Sequence, residues 1–428
     1  MTSTKRRYHQ PLDGEELSNI YEEVCGLAAP VSKARQNELH EAVWHLKEII
    51  QKELGCDAEV YLIGSTHANI NVADSDLDFT VFCDPLERWE RYYLRKSNPR
   101  DDEKTLKQKV AAECLKKLLK GISNAYDRGY KVYNNPRVIE SAQVPVLTTY
   151  NRTAGVNIDI SWAGIDALRN SKFLLWNTLL DHRFAPLCRA IKTWAKVNEV
   201  TGAQDGKINS LSMSFLVMNY LQDEIFKPVL PSLQYNFPEL LVEFDNPRRN
   251  YNLEGYKPTW KSENTMCLGG LFAGFFQYIS NFDFLRCKIN VKLGEGILRK
   301  EGELFESNRK VMRYDPMAIL DPFKGNDDFN ISATARFRGY QYIMKRFKNQ
   351  VEIMKKRRSI FAIKITFVGS SWCECWTDPI LNISECQNSI IVAQGHIKMR
   401  RGERCSCSTC LRLRRVSMSN GNNFLKAV

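Results

Sequence analysis

Three aspartates with a Gly-Ser pair ahead of them are the residues of this sequence best suited to chemistry. Leu62-Ile63-Gly64-Ser65-Thr66 leads through a short loop into Ser75-Asp76-Leu77-Asp78-Phe79-Thr80-Val81-Phe82, and Val156-Asn157-Ile158-Asp159-Ile160-Ser161-Trp162 comes later. Both longer stretches alternate polar and apolar residues, as half-buried strands do, and side chains i and i+2 of a strand share a face. Asp76 and Asp78 therefore project together, while Leu77, Phe79 and Val81 point into a core. Asp159 sits on the polar face of its own strand. Three converging carboxylates suit a hard divalent cation, above all Mg²⁺. A pair of such ions can clamp the attacking and leaving oxygens of an in-line phosphoryl displacement. Gly64 lets the backbone come close to a bulky anion, and the Ser65 hydroxyl with its neighbouring amides could hold a triphosphate. A lone Asp-x-Asp is commonly just solvated surface. The Gly-Ser ahead and the third carboxylate behind set this one apart.

A second constellation is cationic. Residues 184–199 read as a helix whose buried face carries Leu187, Ile191, Trp194 and Ala195. Lys192 and Lys196 are four apart, so they share another face. Two ammonium groups there repel each other unless an anion such as a triphosphate lies between them; by themselves they would read as a solvated face.

The elements that would position these residues can be sketched from periodicity. Residues 14–54 predict helices, with Asp13 as a cap, Ala42, Leu46, Ile49 and Ile50 as an apolar stripe, and Gly55 as the stop. Residues 59–63 read as a strand, 101–120 as an amphipathic helix, and 138–140 and 144–149 as short strands. Beyond Trp162 the pattern turns helical through residue 285, with long apolar stripes at 211–221 and 268–279. A short β-like piece at 287–292 and a basic helix at 333–356 follow. The expected division is helices at 1–54 contributing to a helical domain, an αβ unit at 55–165, a helical domain at 166–358, and a cysteine-rich basic tail at 359–428 with little order.

The 428 residues leave room for two or three domains. No apolar run is long enough to cross a bilayer, and Met1-Thr2-Ser3-Thr4-Lys5-Arg6-Arg7 has no apolar stretch after it, so neither a membrane span nor a secretory signal is expected. The net charge of +12 favours a polyanionic partner. Seven of the 13 cysteines lie among apolar neighbours in the first 300 residues, as reduced intracellular thiols do. In the tail, Cys373, Cys375, Cys386, His396, Cys405, Cys407 and Cys410 could make a zinc site. Only Cys407-x-x-Cys410 has the spacing of a standard finger, so a basic extension with free thiols is the plainer reading.

The ordered set of blocks resembles the non-canonical poly(A) and poly(U) polymerases, the terminal RNA nucleotidyltransferases of the DNA-polymerase-beta-like superfamily. The likeness runs from about residue 14 to about 356. It rests on Gly64-Ser65 with Asp76-Leu77-Asp78, Asp159, Leu168-Arg169-Asn170, Ile191-Lys192-Thr193-Trp194-Ala195-Lys196, Asn209-Ser210-Leu211-Ser212, and Asp321-Pro322-Phe323. The resemblance implies an α+β fold in which a nucleotidyltransferase palm with a mixed β-sheet is inserted into a helical central domain, the nucleotide lying between. It implies two Mg²⁺ or Mn²⁺ ions on Asp76, Asp78 and Asp159, with Asp159 also helping to deprotonate an RNA 3′ hydroxyl. Gly64, Ser65, Lys192 and Lys196 would hold the triphosphate, Asn170 would read the ribose 2′ hydroxyl, and Ser210 and Leu211 would touch the nucleotide. The 170–176 and 209–214 blocks resemble the uridylyltransferase branch most, which favours UTP, with ATP as the alternative. Two departures bear on the base. Leu211 stands where the family usually stacks an aromatic, and no histidine follows Asp321-Pro322-Phe323. The implied partners are an RNA 3′ end and an RNA-binding protein that recruits the enzyme, in the cytoplasm with the nucleus as a second compartment. An oligoadenylate or second-messenger synthase and an inactive RNA-binding scaffold are the competing readings. The intact carboxylate set opposes the scaffold.

Overall fold

A computed structural model describes residues 14–55, 57–83, 103–127, 132–142, 144–223, 227–248, 259–284, 286–298, 316–324, 330–357 and 360. The tail cysteines with His396, and the Asp13 cap, lie outside these residues.

The first described elements are two helices, α1 (Gly14–Ala28) and α2 (Lys33–Leu54). They are separated at Pro30, which cannot continue a helix. The Ser32 hydroxyl caps α2 by accepting from the Arg35 amide at 3.2 Å, and Gly55 ends it at φ 107°. Residues 14–54 do not pack as one block. α1 buries Ile20, Val24 and Ala28 among the later helices. α2 buries Leu39, Ala42, Leu46, Ile49 and Ile50 against the sheet instead. The apolar stripe of α2 shows that the helix is half buried; only the sheet decides against what.

The sheet comprises β1 (Glu59–Ile63), β2 (Leu77–Phe82), β3 (Tyr133–Ile139), β4 (Val146–Asn151) and β5 (Val156–Trp162) in the order β1-β2-β5-β4-β3. β2 and β5 run parallel and all other pairs antiparallel. One face carries Val60, Leu77, Phe79, Val81, Leu147, Val156, Ile158 and Ile160, covered by α2 and by α4 (Glu103–Asp127). The strict alternation leaves Asp78 and Asp159 on the other face. β3 is longer than the 138–140 strand expected. Pro136 argues against a strand interior, but β3 is an edge strand, where a missing ladder donor is tolerated. A register shift between Asn134 and Arg137 absorbs the irregularity.

After the four-residue helix α3 (Gly64–His67), which lies between β1 and β2, the remaining elements are mostly helical. They are α5 (Ile165–Leu180), α6 (Phe184–Val197), α7 (Ser210–Leu221), α8 (Leu233–Asn236), α9 (Leu240–Asp245), α10 (Leu268–Asn281) and α11 (Phe337–Arg357). The β-like piece at 287–292 proves to be half of a hairpin. β6 (Cys287–Asn290) pairs with β7 (Glu295–Leu298). Trp194 of α6 packs on Phe276 of α10 with ring centroids 4.5 Å apart and on Phe347 of α11 at 5.5 Å. Its indole N–H donates to Gln350 at 2.8 Å, so the buried ring is anchored at both ends. α1 and α10 approach so closely at Gly269 that an added Cβ would lie 2.9 Å from Tyr21 Cα.

Candidate active site

The carboxylates meet through strand register. Asp78 of β2 and Asp159 of β5 are direct partners in the parallel pair, so their side chains stand next to each other on the open face. Asp76 lies two residues before Asp78, and Asn157 of β5 donates to its Oδ1 at 3.1 Å. Burial, followed by the neighbouring charges of Asp159 and Asp76, pushes the Asp78 carboxyl up to about 7, with Lys192 opposing the shift. Burial also raises Asp159, while a hydrogen bond from Thr148 opposes the rise and Asp76 adds to it. These are acids held near one another with too little positive charge to balance them. That electrostatic deficit is what a divalent cation would fill. Among the described residues no three His, Cys, Asp or Glu side chains already form a metal cage. Mg²⁺ seldom uses an all-protein cage; substrate phosphates and waters usually complete its shell. The donor set therefore fits Mg²⁺ or Mn²⁺.

Gly64 closes the site from β1. Its φ of 69° falls in the left-handed region, and a Cβ there would overlap the Asp78 carboxylate. Its amide donates to Ser171 Oγ of α5 at 2.8 Å, and Ser171 in turn donates to the Ala167 carbonyl at 2.6 Å. The glycine loop is thus tied to the first helix after the sheet. Ser65 follows in α3 and is partly exposed.

Both lysines reach the loop that leads into β2, but in different surroundings. Lys192 donates to the Ile70 carbonyl at 3.3 Å. Burial lowers it to about 8, against the pull of Cys188 and Asp78. Lys196 is half exposed and pairs with Asp74, a residue the motifs did not single out. One turn before Lys192, the Arg189 guanidinium donates to the Ala28 carbonyl at 2.7 Å and the Asn69 carbonyl at 2.8 Å. It holds the end of α1 and the start of the same loop in place.

Asn170 of α5 is 4% exposed and donates to Asp321 Oδ2 at 3.1 Å, while its own carbonyl oxygen has no partner. Asp321 also accepts from the Phe323 amide at 2.9 Å, which makes the Asp-Pro-Phe turn. Ser210 is exposed at the start of α7, Leu211 packs partly into the helical core, and Asn209 caps the helix by accepting from Ser212 N at 2.8 Å. Asn209 also donates to the Ile331 carbonyl at 2.8 Å. Hydrogen bonds therefore join Asn209 to Ile331 and Ile331 to Ile319, Asp321 to Asn170, and Ser171 to Gly64, which lies against Asp78. Ser210 and Leu211 stand beside Asn209, and among the described residues no hydrogen bond carries them to the carboxylates. Of the residues missed in the sequence, Asn157 had a signal, lying two before Asp159 on the same face. Ser171, Thr148 and Asp74 had none, because their roles exist only across elements.

Carboxylates on adjacent strands of a mixed sheet, a glycine loop beneath them and a lysine helix beyond make a nucleotidyltransferase fold. Residues 24–176 match the central palm domain of the mitochondrial-like poly(A) RNA polymerases, and residues 267–327 match the Cid1 family poly(A) polymerase domain. Among curated relatives, the poly(A) RNA polymerase gld-2 homolog A of Drosophila melanogaster is 27% identical over 267 residues, covering 62% of this chain and 18% of that protein. The human poly(A) RNA polymerase GLD2 is 27% identical over 229 residues, covering 53% and 45%. The chain thus spans less than half the length of these relatives. Among solved structures, the Cid1 poly(U) polymerase superposes with a TM-score of 0.58 at 20% identity, covering 80% of this chain and 95% of that one. A GLD-2/RNP-8 complex superposes with 0.59 at 17%, covering 80% and 97%. These two segments match domains of the non-canonical poly(A)/poly(U) polymerases, and the chain has the fold of that family.

Proposed function

We propose that this protein adds ribonucleotides to RNA 3′ ends without a template, on a site that takes two Mg²⁺ or Mn²⁺ ions. The observation that carries the reading is the register pairing of Asp78 with Asp159 beside Asp76, with Lys192 opposing the charge on Asp78. Bound metal would supply Lewis-acid stabilisation of the transferring phosphoryl. Asp76, Asp78 and Asp159 would ligate it, and Asp159 would help take the proton from the 3′ hydroxyl. Gly64, Ser65, Lys192 and Lys196 would hold and orient the triphosphate. Asn170 would present its unpartnered carbonyl to the ribose 2′ hydroxyl. Ser210 and Leu211 would bound the base. The test is incubation of the purified chain with a labelled oligoribonucleotide, Mg²⁺ or Mn²⁺, and each NTP in turn. A ladder of extended RNA supports the reading. Short soluble oligonucleotides would move it to the synthase class, and no product with any NTP would leave an RNA-binding scaffold.

UTP is placed first for the local likeness of residues 170–176 and 209–214 to uridylyltransferases. The GLD2 poly(A) polymerases among the relatives make ATP the second reading. Without an aromatic at Leu211, the pocket loses a stacking partner worth roughly 1–3 kcal/mol per base, so leakage to other nucleotides is expected. Side-by-side kcat/KM values choose between the two: a tenfold preference for ATP, about 1.4 kcal/mol, retires uridylylation. We place the enzyme in the cytoplasm, with the nucleus second. Recruitment would come from an RNA-binding partner, as the GLD-2/RNP-8 pairing suggests by analogy.

The Lys196–Asp74 pair makes a separate prediction. Both side chains are about half exposed, at 51% and 55%, and such pairs are worth about 0–1 kcal/mol. Asp74 competes with a triphosphate for the same ammonium. Asp74→Asn should therefore lower the NTP KM by up to about fivefold. Lys196→Ala should raise it by the loss of a charge-assisted bond, about 1.5–3 kcal/mol. Steady-state kinetics at fixed RNA check both, and a raised KM in Asp74→Asn would show that the pair organises the loop.

A further inference from the structure

Helix α11 buries Ile343, Met344, Phe347, Val351 and Met354 in the helical core. Its opposite face is exposed and carries Arg338, Lys345, Lys348 and Lys355 at helical spacing. The helix contains a single acid, Glu352, which lies 3.6 Å from Lys355. From Arg338 to Lys355 the stripe extends about 25 Å at about 1.5 Å per residue.

The beginning of this helix differs from an ordinary solvated face. Arg336, Phe337 and Arg338 are exposed in succession, Phe337 at 47%. Phe337 packs one side on Tyr340, with ring centroids 6.4 Å apart, and leaves the rest in water between two guanidinium-bearing residues. It is a surface on which an unpaired base can stack while its phosphates meet the flanking cations. This end also abuts the loop ahead of Ser210 and Leu211, which in the proposed function would bound the base. The Arg336 amide donates to the Gly206 carbonyl at 3.0 Å, and the Thr334 hydroxyl donates to the Lys207 carbonyl at 2.9 Å. Residues 206–207 belong to the loop that runs directly into Asn209 and α7.

We propose that the exposed face of α11 is a track for single-stranded RNA. Phe337, between Arg336 and Arg338, stacks a base near the nucleotide side, and Lys345, Lys348 and Lys355 follow the phosphates away from it. The proposal rests on the terminal-transferase reading for its choice of polyanion. The aromatic separates single-stranded RNA from an acidic lipid surface, for which charge alone would serve.

The test is equilibrium binding of a labelled fifteen-nucleotide oligoadenylate to the full chain without NTP, across a range of salt concentrations. Lys345→Glu/Lys348→Glu should weaken binding tenfold or more. It should also flatten the slope of log affinity against log salt by about 1.4, at roughly 0.7 per phosphate contact in single strands. Phe337→Ala should weaken binding with the slope unchanged, and Phe337→Trp should restore it. Lys52→Glu, an exposed lysine on α2, should do neither. All sites are on the surface, so melting temperatures should stay within a few degrees of wild type. The milder Lys345→Gln/Lys348→Gln pair serves if the reversal unfolds the helix. Equal loss from Lys52→Glu, an unchanged slope in the double variant, or loss of binding to phosphatidylserine vesicles with RNA affinity intact would each overturn the track. A wild-type chain that binds RNA in this pattern yet extends none would retire the transferase reading and leave the track standing.

Discussion

Asp78→Asn should abolish nucleotide addition and at the same time stabilise the metal-free protein. Charge stabilisation of the transferring phosphoryl is the main catalytic contribution in this chemistry, and single charged groups there are worth about 10³–10⁵ in turnover. The loss in kcat should therefore be about 10³-fold or more. The stability effect has the opposite sign. Asp78 is raised from 3.8 to about 7 by burial and by the Asp159 and Asp76 charges. A carboxyl raised on folding contributes least destabilisation below its unfolded value, and the fold loses stability as pH climbs from about 4 through about 7. Asparagine is nearly isosteric and uncharged. In EDTA the variant should melt higher than wild type by a margin that grows between pH 5 and pH 7.5, at about 2–4 °C per kcal/mol recovered. Saturating Mg²⁺ should narrow the gap, because only wild type gains from binding it. Melting curves in EDTA and Mg²⁺ at the two pH values measure this. A lower melting point for the variant in EDTA at pH 7.5 would show that Asp78 is held by compensated contacts, and the metal assignment would fall with it.

Gly64→Ala should be nearly as damaging to activity, for a different reason. The added methyl meets both a left-handed backbone, at φ 69°, and the Asp78 carboxylate. Backbone strain of this kind costs about 1–3 kcal/mol. The overlap displaces a metal ligand, and a misplacement of about 1 Å can cost about 10² in rate. A control separates the two effects. Gly55 also has positive φ, at 107°, but a Cβ there meets nothing within 4 Å. Gly55→Ala should lower the melting temperature by a few degrees and leave kcat intact, whereas Gly64→Ala should lower both. Equal kcat in the two variants would mean that the glycine loop serves only the backbone.

The carboxylates were legible because strand alternation is a local rule. Once Leu77, Phe79 and Val81 are apolar, Asp76 and Asp78 must face away from them, and the same holds for Asp159 among Val156, Ile158 and Ile160. The pairing of Asp78 with Asp159 is not local. It depends on β2 and β5 lying parallel and adjacent with this register, and a slip of one residue would send one carboxylate into the core. Lys192 and Lys196 were legible as one helical face, but their different fates were not. One is buried toward Asp78, and the other is taken by Asp74 from a loop that no periodicity places there.

The helices follow the same division. The apolar stripes of α2 and α11 mark one buried face on each, and side-chain spacing alone is enough for that, because a helix that leaves such a face in water does not persist. Spacing says nothing of the partner. The packing sends α2 to the sheet and α1 to the helices, although they are neighbours in the chain. It also lets an edge strand keep Pro136, which a local reading must reject. Residue type and period decide which surfaces must be covered and which groups can carry charge. Which surface covers which, and which charges end up sharing a site, is set by contacts between residues far apart in sequence, such as Ser171 with Gly64 and Asn170 with Asp321. Those contacts exist only once the whole chain has collapsed.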